Sequence, residues 1–236
     1  MKTLLILISI ILLSLLVISR YVSSKKTDNK PVGGSYDEAT MESLINPPKK
    51  IPFLLRRMVK IADKRAKKKM LTGRILTWSP KIAVSSGILE LYVEKGAASC
   101  LDERMIKILR IEVSYTVPSP FAIDINSVNY KEFGITEDEI QGLCGNKAID
   151  SIASFSEKEK IVLKYAHALS KTPIKLNQKL LDELRNHFSE KEIVAIAALT
   201  AKVNYWARLI EALRIKPAGF TNDSILHIEE YNTFVK

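Results

Sequence analysis

The segment from Ser114 to Gly134 contains the residues whose types and spacing could carry chemistry. Ser119 is followed by Pro120, and this pair predicts a helix start, because a serine oxygen accepts a bond from a free backbone amide and proline suits the first helical position. Gly134 predicts the end of that helix. A serine hydroxyl becomes a nucleophile only when a base lies within hydrogen-bonding reach. The sequence identifies no such base, so we interpret Ser119 as a helix cap.

The elements that must position this segment are predicted to be helices. Apolar residues recur near the helical period along it, at Phe121, Ala122, Ile125, Val128 and Phe133, and predict one buried face. Upstream we expect a helix from Ser79-Pro80 to Gly96 and another from about Asp102 to Tyr115. Downstream come three capping boxes, Thr136 with Glu139, Ser156 with Glu159 and Ser189 with Glu192.

One more helix completes the prediction, and the last capping box begins the most buried one. Asn177 is expected to cap a helix that ends near His187, and the stretch from 189 to about 213 is apolar nearly all round, which is typical of the most buried helix of a domain. No segment shows sustained alternation of apolar and polar residues, so we predict an all-α domain.

Several of these segments together resemble the carboxymuconolactone decarboxylase family, in particular its AhpD-like branch. The resemblance covers roughly residues 70 to 220 and includes LDERMIKILRIEVSY, GITEDEI, LKYAHALSKTP, LRNHFSEKEIVAIAAL and NYWARLIEALRI. It implies an AhpD-like helical bundle that assembles as a homo-oligomer. That branch carries Cys-x-x-Cys-x-x-x-His about fifteen residues before a glycine, which aligns its motif with Ser119, Ala122 and Asn126 of this chain.

The substitutions at these aligned positions remove the redox chemistry that the resemblance implies. Thiol reduction of this kind needs an ionised thiol and a second, resolving thiol. The hydroxyl of Ser119 and the methyl of Ala122 cannot form a disulfide, and the amide of Asn126 cannot shuttle a proton as histidine does. The leading hypothesis is therefore a non-redox binding module or pseudoenzyme that can still take a small-molecule ligand.

The alternative is an enzyme of the decarboxylase or lactone type. In that branch of the family a carboxylate and a histidine work near this helix as acid and base. Asp124 with Glu112 or Glu103 could imitate the pair. His167, Asn204 and Arg208 match scaffold positions and are the candidate pocket residues, although each also has a structural interpretation. His187 is interpreted as structural, and His227 lies in the tail.

A third hypothesis keeps residual peroxidase-like activity through another thiol. The chain has two cysteines, Cys100 and Cys144, which lie far apart and have no motif spacing. They predict neither a disulfide framework nor a metal site, and we interpret each as a small buried hydrophobic residue. We expect no metal and no cofactor.

The amino-terminal region predicts a membrane segment. Thr3 to Ser19 is a run of seventeen uncharged residues, and as a helix it would span roughly 25 Å, the short end of what crosses a bilayer. Residues 1–22 are interpreted as a retained single-pass anchor, with a cleaved signal peptide as the alternative. The basic residues Arg20, Lys25 and Lys26 favour a cytoplasmic position for the remainder of the chain. Residues 23–50 are predicted to be a linker.

The chain carries 36 Lys and Arg against 26 Asp and Glu, a net charge of +10, and the excess is concentrated between Lys49 and Lys81. That stretch holds twelve basic residues and the single acid Asp63. Residues 51–71 are predicted to form a basic amphipathic helix with Phe53, Leu54, Met58, Ile61 and Ala62 on one side. Its expected partner is anionic lipid, because each basic residue near such a surface contributes about 1 kcal/mol. A solvated helix face is the second interpretation and nucleic acid a distant third. Residues 72–220 form the predicted AhpD-like domain, and residues 221–236 a tail.

Overall fold

The computed structural model describes residues 43–221, which contain α-helices and short 3-10 helices but no strand. The all-α prediction is confirmed. The described chain divides into two compact units, one of residues 46–86 and one of residues 43–45 with 87–221. The predicted anchor, most of the linker and the tail from residue 222 onward lie outside the described residues.

The first unit contains α1, Phe53–Ala66, and α2, Leu71–Leu76. The predicted single helix over 51–71 is wrong at its end, because Lys67 adopts a left-handed conformation (φ 52°) that terminates α1. Asp63 organises the turn that follows, where its carboxylate accepts the Met70 amide at 2.8 Å and the Arg74 guanidinium at 2.5 and 3.0 Å.

The buried side of α1 is also different from the prediction. Leu55 and Val59 are buried, whereas Phe53, Leu54 and Ile61 are exposed. The predicted apolar face therefore points to the surface, because the two residues that are buried, Leu55 and Val59, lie on the other side of the helix.

The helix α3, Pro80–Ala97, continues from the first unit into the second. The remaining helices of the second unit are α4 (Glu103–Thr116), α5 (Pro120–Ser127), α6 (Glu137–Leu143), α7 (Glu157–Ser170), α8 (Gln178–His187) and α9 (Glu190–Ala212). Short 3-10 helices at Tyr130–Phe133 and Ile149–Ser151 lie on either side of α6.

The core of the second unit is built around α4, which packs against α5, α7 and α9. Its most enclosed aliphatic residues include Ile108, Leu109, Ile111 and Val113 of α4, Val162 and Leu163 of α7, and Ile196 and Leu199 of α9. Burying such a side chain stabilises a fold by about 1.5–3 kcal/mol. This packing holds α4 and α7 side by side, and both helices contribute to the site described below.

Local sequence signals placed most helix starts correctly. Ser119 caps α5 and Pro120 is its first residue, and all three predicted capping boxes are present with both of their hydrogen bonds. Asn177 caps α8 as predicted.

The helix that begins at Ser119 is shorter than the prediction of a helix to residue 133. It ends at Ser127, because Val128 is extended and Asn129 adopts the left-handed conformation (φ 55°), which asparagine tolerates better than most residues. Gly134 still ends the following 3-10 helix with φ 68°, where a Cβ would be strained.

By length and composition alone, α9 is the one helix between residues 43 and 221 that could cross a bilayer. Many of its residues are buried inside the second unit, as expected for the central helix of a packed core.

Candidate functional site

The start of α5, where the sequence aligned the redox motif, is enclosed by the protein. Ser119 is fully buried, and its oxygen accepts the Ala122 amide and donates to Glu211 Oε1 at 2.7 Å. Desolvation raises the pKa of Glu211, and the hydrogen bond from Ser119 offsets part of this rise. Ser119 therefore has a carboxylate neighbour that accepts a hydrogen bond from its hydroxyl, but the residue is fully enclosed by the protein and caps α5.

Asp124 is also almost completely buried on α5. Its Oδ1 accepts the backbone amides of Phe220 and Thr221 at 2.7 and 2.9 Å, while its Oδ2 has no hydrogen-bond partner among residues 43–221. These contacts fasten the chain after α9 to α5. Of the two carboxylates suggested as partners of Asp124, Glu103 lies exposed in the first turn of α4 and Glu112 contacts His167.

Asn126 completes the aligned motif and takes part in a local chain of hydrogen bonds. Its side-chain amide donates to Ser114 Oγ at 2.9 Å, and Ser114 donates to the Arg110 carbonyl at 2.7 Å. Asn126 thus ties α5 to α4, whereas Ser119 ties the start of α5 to Glu211 of α9.

The arrangement suited to acid–base chemistry lies one helix away, between α4 and α7. Glu112 Oε1 is 2.8 Å from His167 Nδ1, and Thr116 Oγ1 lies 3.0 Å from the same oxygen and 3.1 Å from the same nitrogen. The Glu112 side chain is 6% exposed and the His167 side chain is 51% exposed. When Nδ1–H donates to the carboxylate, Nε2 of the imidazole is left as a proton acceptor.

Glu112 and His167 line an open pocket of about 530 Å³ in the second unit. The other lining residues are Ile149, Asp150, Leu163, Lys164, Ala168, Asn177, Lys179, Leu180 and Glu183. Lys164 pairs with Asp150 at 2.6 Å, so one cation of the rim is neutralised. The pocket lining combines four apolar side chains with polar groups of both signs of charge.

The other two candidate pocket residues do not line this pocket. Asn204 donates to Ser170 Oγ at 2.8 Å, and Arg208 donates to the Ser170 carbonyl at 3.2 Å. Both residues tie α9 to the end of α7, which matches their structural interpretation. His187 likewise contacts the Glu183 carbonyl at 2.8 Å through its Nδ1 atom.

Sequence reasoning missed Thr116 and Glu211. Neither belongs to a motif: Thr116 contacts His167, and Glu211 contacts Ser119, through packing between helices far apart in the chain. Only the helical spacing of Glu112 and Thr116, four residues apart, carried a signal that they share a face of α4.

Cys100 and Cys144 are free thiols. Desolvation raises the pKa of Cys144 from its ordinary value of 9.0 to about 11; a hydrogen bond with Tyr115 opposes that rise and the Glu112 charge adds to it. Between residues 43 and 221, no group of three metal-ligating side chains comes together.

This pKa predicts that Cys144 is a poor nucleophile. In a Cys100→Ala chain, we expect Cys144 to react with iodoacetamide about 100-fold more slowly at neutral pH than the same thiol in the urea-unfolded chain, because the thiolate fraction falls tenfold per pKa unit. Mass-spectrometric trapping measures the rate, and no Cys144 oxidation is expected after brief peroxide treatment. Equal rates in the folded and unfolded chains would contradict the prediction.

The comparisons with known proteins agree with this fold. No protein-family model matches the chain. The uncharacterised protein YdfG of Bacillus subtilis is 24% identical over 132 residues, which cover 56% of this chain and 86% of that protein. The debrominase Bmp8, solved in complex with 2,3,4-tribromopyrrole, superposes with a TM-score of 0.63 at 16% identity, covering 80% of this chain and 97% of Bmp8.

A second solved structure names the fold directly. An uncharacterised peroxidase-related protein from Ralstonia eutropha, described as an alkylhydroperoxidase AhpD core, gives a TM-score of 0.60 at 15% identity, covering 79% of this chain and 95% of that one. A peroxidase-related protein from Silicibacter gives 0.61 at 11% identity, covering 75% and 92%. The chain therefore has the AhpD-like helical fold, and the resemblance drawn from the sequence is confirmed at the level of fold.

Proposed function

We propose that this chain is a non-redox AhpD-like protein that binds a small molecule in the pocket beside Glu112 and His167. One observation carries the proposal: Glu112 and His167 form a hydrogen bond on the wall of an open pocket, whereas Ser119, at the first motif position, is buried and hydrogen-bonded. A site without sulfur at Ser119 and Ala122 cannot cycle between dithiol and disulfide. The proposed activity therefore depends on polar recognition and not on electron transfer.

The chemistry of the pocket suggests the kind of ligand. Apolar contacts come from Ile149, Leu163 and Leu180, and the imidazole of His167 can donate or accept one hydrogen bond through Nε2. A small carboxylate or lactone with an apolar body satisfies both when the imidazole carries both protons, donating Nδ1–H to Glu112 and Nε2–H to the ligand oxygen. Among the described residues Nε2 has no hydrogen-bond partner, so it is available to such a ligand.

A second candidate function is proton transfer of the decarboxylase or lactone type. The contact between Glu112 and His167 favours it, because a carboxylate that orients an imidazole leaves the other ring nitrogen to act as a base. Thr116 would position the pair through its hydroxyl group. This candidate replaces Asp124 with His167 in the acid–base pair.

One experiment separates the two functions. The purified full chain is screened by calorimetry against muconolactone-like lactones and small carboxylates, and any compound that binds is then tested for turnover. Binding without turnover supports the binding module. Turnover that falls about 100-fold or more in Glu112→Gln supports the enzyme.

Matched variants identify the site. We expect Glu112→Gln and His167→Gln to weaken binding, and Glu183→Gln, on the rim of the same pocket, to change it much less. Ligand binding that survives both substitutions would place the site elsewhere, and turnover abolished by Asp124→Asn alone would return the chemistry to α5. Peroxide consumption that disappears in Cys144→Ala would instead support the residual peroxidase-like function.

We further propose that residues 1–22 anchor the chain in a membrane, with the helical unit on the cytoplasmic side and assembled as a homo-oligomer. The uncharged run Thr3 to Ser19 and the basic residues that follow it support the anchor and its orientation. Retention in the pellet after alkaline extraction, lost on deletion of residues 1–22, is the expected result. Sedimentation of the detergent-solubilised chain as a monomer would exclude the homo-oligomer.

A further inference from the structure

The exposed face of α1 combines cations with large apolar side chains. Phe53 is 71% exposed, Ile61 55% and Leu54 49%. At about 100° per residue, these three share roughly one third of the helix circumference with Arg57, Lys60 and Lys64. We call these six residues the α1 face. Leu55 and Val59, on the opposite side, are buried in the first unit.

The charge of the α1 face is not compensated within the described chain. Arg57, Lys60 and Lys64 are exposed and form no ion pair with another described residue. Asp63, the acid of the helix, is engaged by Arg74 at 2.5 Å, and the hydrogen bond from Arg74 holds the pKa of that carboxyl below its usual range. The neighbouring acid therefore remains ionised and paired, and the three cations are free to meet another anion.

The apolar members distinguish the partner. Cations alone would suit any polyanion. The transfer of an exposed phenylalanine and two aliphatic side chains from water into an acyl layer is favourable, so the apolar members favour a lipid surface. The Arg57 guanidinium lies 5.9 Å from the centre of the Phe53 ring, so a cation and an apolar group are presented side by side. A lipid surface offers headgroup charge and hydrocarbon at adjacent depths.

We infer that the α1 face docks on a bilayer that contains anionic lipid, with Phe53, Leu54 and Ile61 entering the interface and Arg57, Lys60 and Lys64 contacting headgroup phosphates or carboxylates. The helix lies parallel to the membrane plane. This contact is independent of the pocket beside Glu112, and it is distinct from the proposed anchor because it requires anionic lipid.

The test uses the full chain with both native cysteines replaced, Cys100→Ala and Cys144→Ala. An environment-sensitive dye is attached at Leu54→Cys, or at Val194→Cys as the control, because Val194 is 68% exposed on α9. The protein is reconstituted in vesicles of phosphatidylcholine with or without phosphatidylserine. We expect a blue shift and quenching by spin-labelled lipid at position 54 only when phosphatidylserine is present, and no change at position 194.

Charge reversal then tests the recognition. Arg57→Glu with Lys60→Glu and Lys64→Glu should abolish the shift at position 54, while the matched reversal of the exposed Lys95, Lys171 and Lys175 should preserve it. High salt should reverse the shift in the chain without charge reversal, which tests the electrostatic term without any risk to folding. The inference would be overturned if the dye at position 54 showed no shift, or if its shift did not depend on phosphatidylserine. A shift produced by duplex RNA but not by vesicles would also overturn it.

Discussion

Replacing Arg104 with methionine should lower the free energy of unfolding by about 3–5 kcal/mol, because it leaves enclosed carboxylates without their cation. Arg104 on α4 donates to Glu159 at 2.7 Å, to Glu139 at 2.6 Å and to the Gly134 carbonyl at 2.6 Å. The Glu139 side chain is 1% exposed and that of Glu159 is 10% exposed. One guanidinium thus joins the starts of α6 and α7 to α4.

The same variant should reverse the response to acid. Burial acts to raise the pKa of Glu139, but hydrogen bonds from Arg104 and the Thr136 amide outweigh it, and the pKa is lower than usual. A carboxyl of this kind contributes stability above its unfolded pKa and loses it as the pH falls through its folded pKa. Without Arg104, burial is no longer offset in this way, so the variant should gain stability as the pH falls from about 7 towards about 5.

Urea unfolding followed by circular dichroism at both pH values measures the two effects. Arg185→Met is the matched control, because Arg185 is 70% exposed and lies 3.7 Å from an exposed Asp182 carboxylate. Its cost should stay within about 1 kcal/mol and should not depend on pH in this range. If Arg104→Met lowered the free energy of unfolding as little as Arg185→Met, Glu139 and Glu159 would have to form hydrogen bonds with other groups in the variant.

The sequence predicted those parts of the fold that depend on contacts within one turn. The caps at Ser119, Thr136, Ser156 and Ser189 each need only a side chain and an amide three residues away, so residue type and spacing determine them. The early end of α5 was missed because it depends on the left-handed conformation of Asn129, which the residue type permits but does not impose.

The candidate site could not be predicted in the same way. Glu112 and His167 are 55 residues apart in the chain, and they meet because α4 and α7 pack in one particular register. Helical periodicity identifies the faces of each helix but not which residues lie opposite each other. Similarly, the sequence could not reveal that α1 buries Leu55 and Val59 and exposes Phe53, because this depends on which side of α1 packs against the rest of the first unit.

Lys107 should make the protein more stable in mildly alkaline solution than at neutral pH. This α4 residue is buried, its Nζ donates to the Val128 carbonyl at 2.6 Å, and the ammonium lies 5.0 Å from the centre of the Phe133 ring. Desolvation, with a smaller effect from Arg110, lowers the pKa of Lys107 from 10.5 to about 8, while Glu132 opposes the change. Between about pH 8 and pH 10.5 the unfolded chain binds more protons at this lysine than the folded chain does, so the free energy of unfolding rises with pH.

The variant Lys107→Met isolates this contribution. At about pH 7 the ammonium is charged in both states and its full desolvation cost is present, whereas near pH 10 the folded lysine is neutral. The stability of Lys107→Met relative to the unsubstituted chain should therefore fall by about 3 kcal/mol across this range, as measured by urea unfolding. Lys158→Met is the control, because Lys158 is exposed and its Nζ lies 5.3 Å from the centre of the Phe188 ring. Parallel pH profiles for the Lys107 variant and the unsubstituted chain would mean that the buried ammonium keeps its ordinary pKa, because water or stronger contacts with Val128 stabilise its charge.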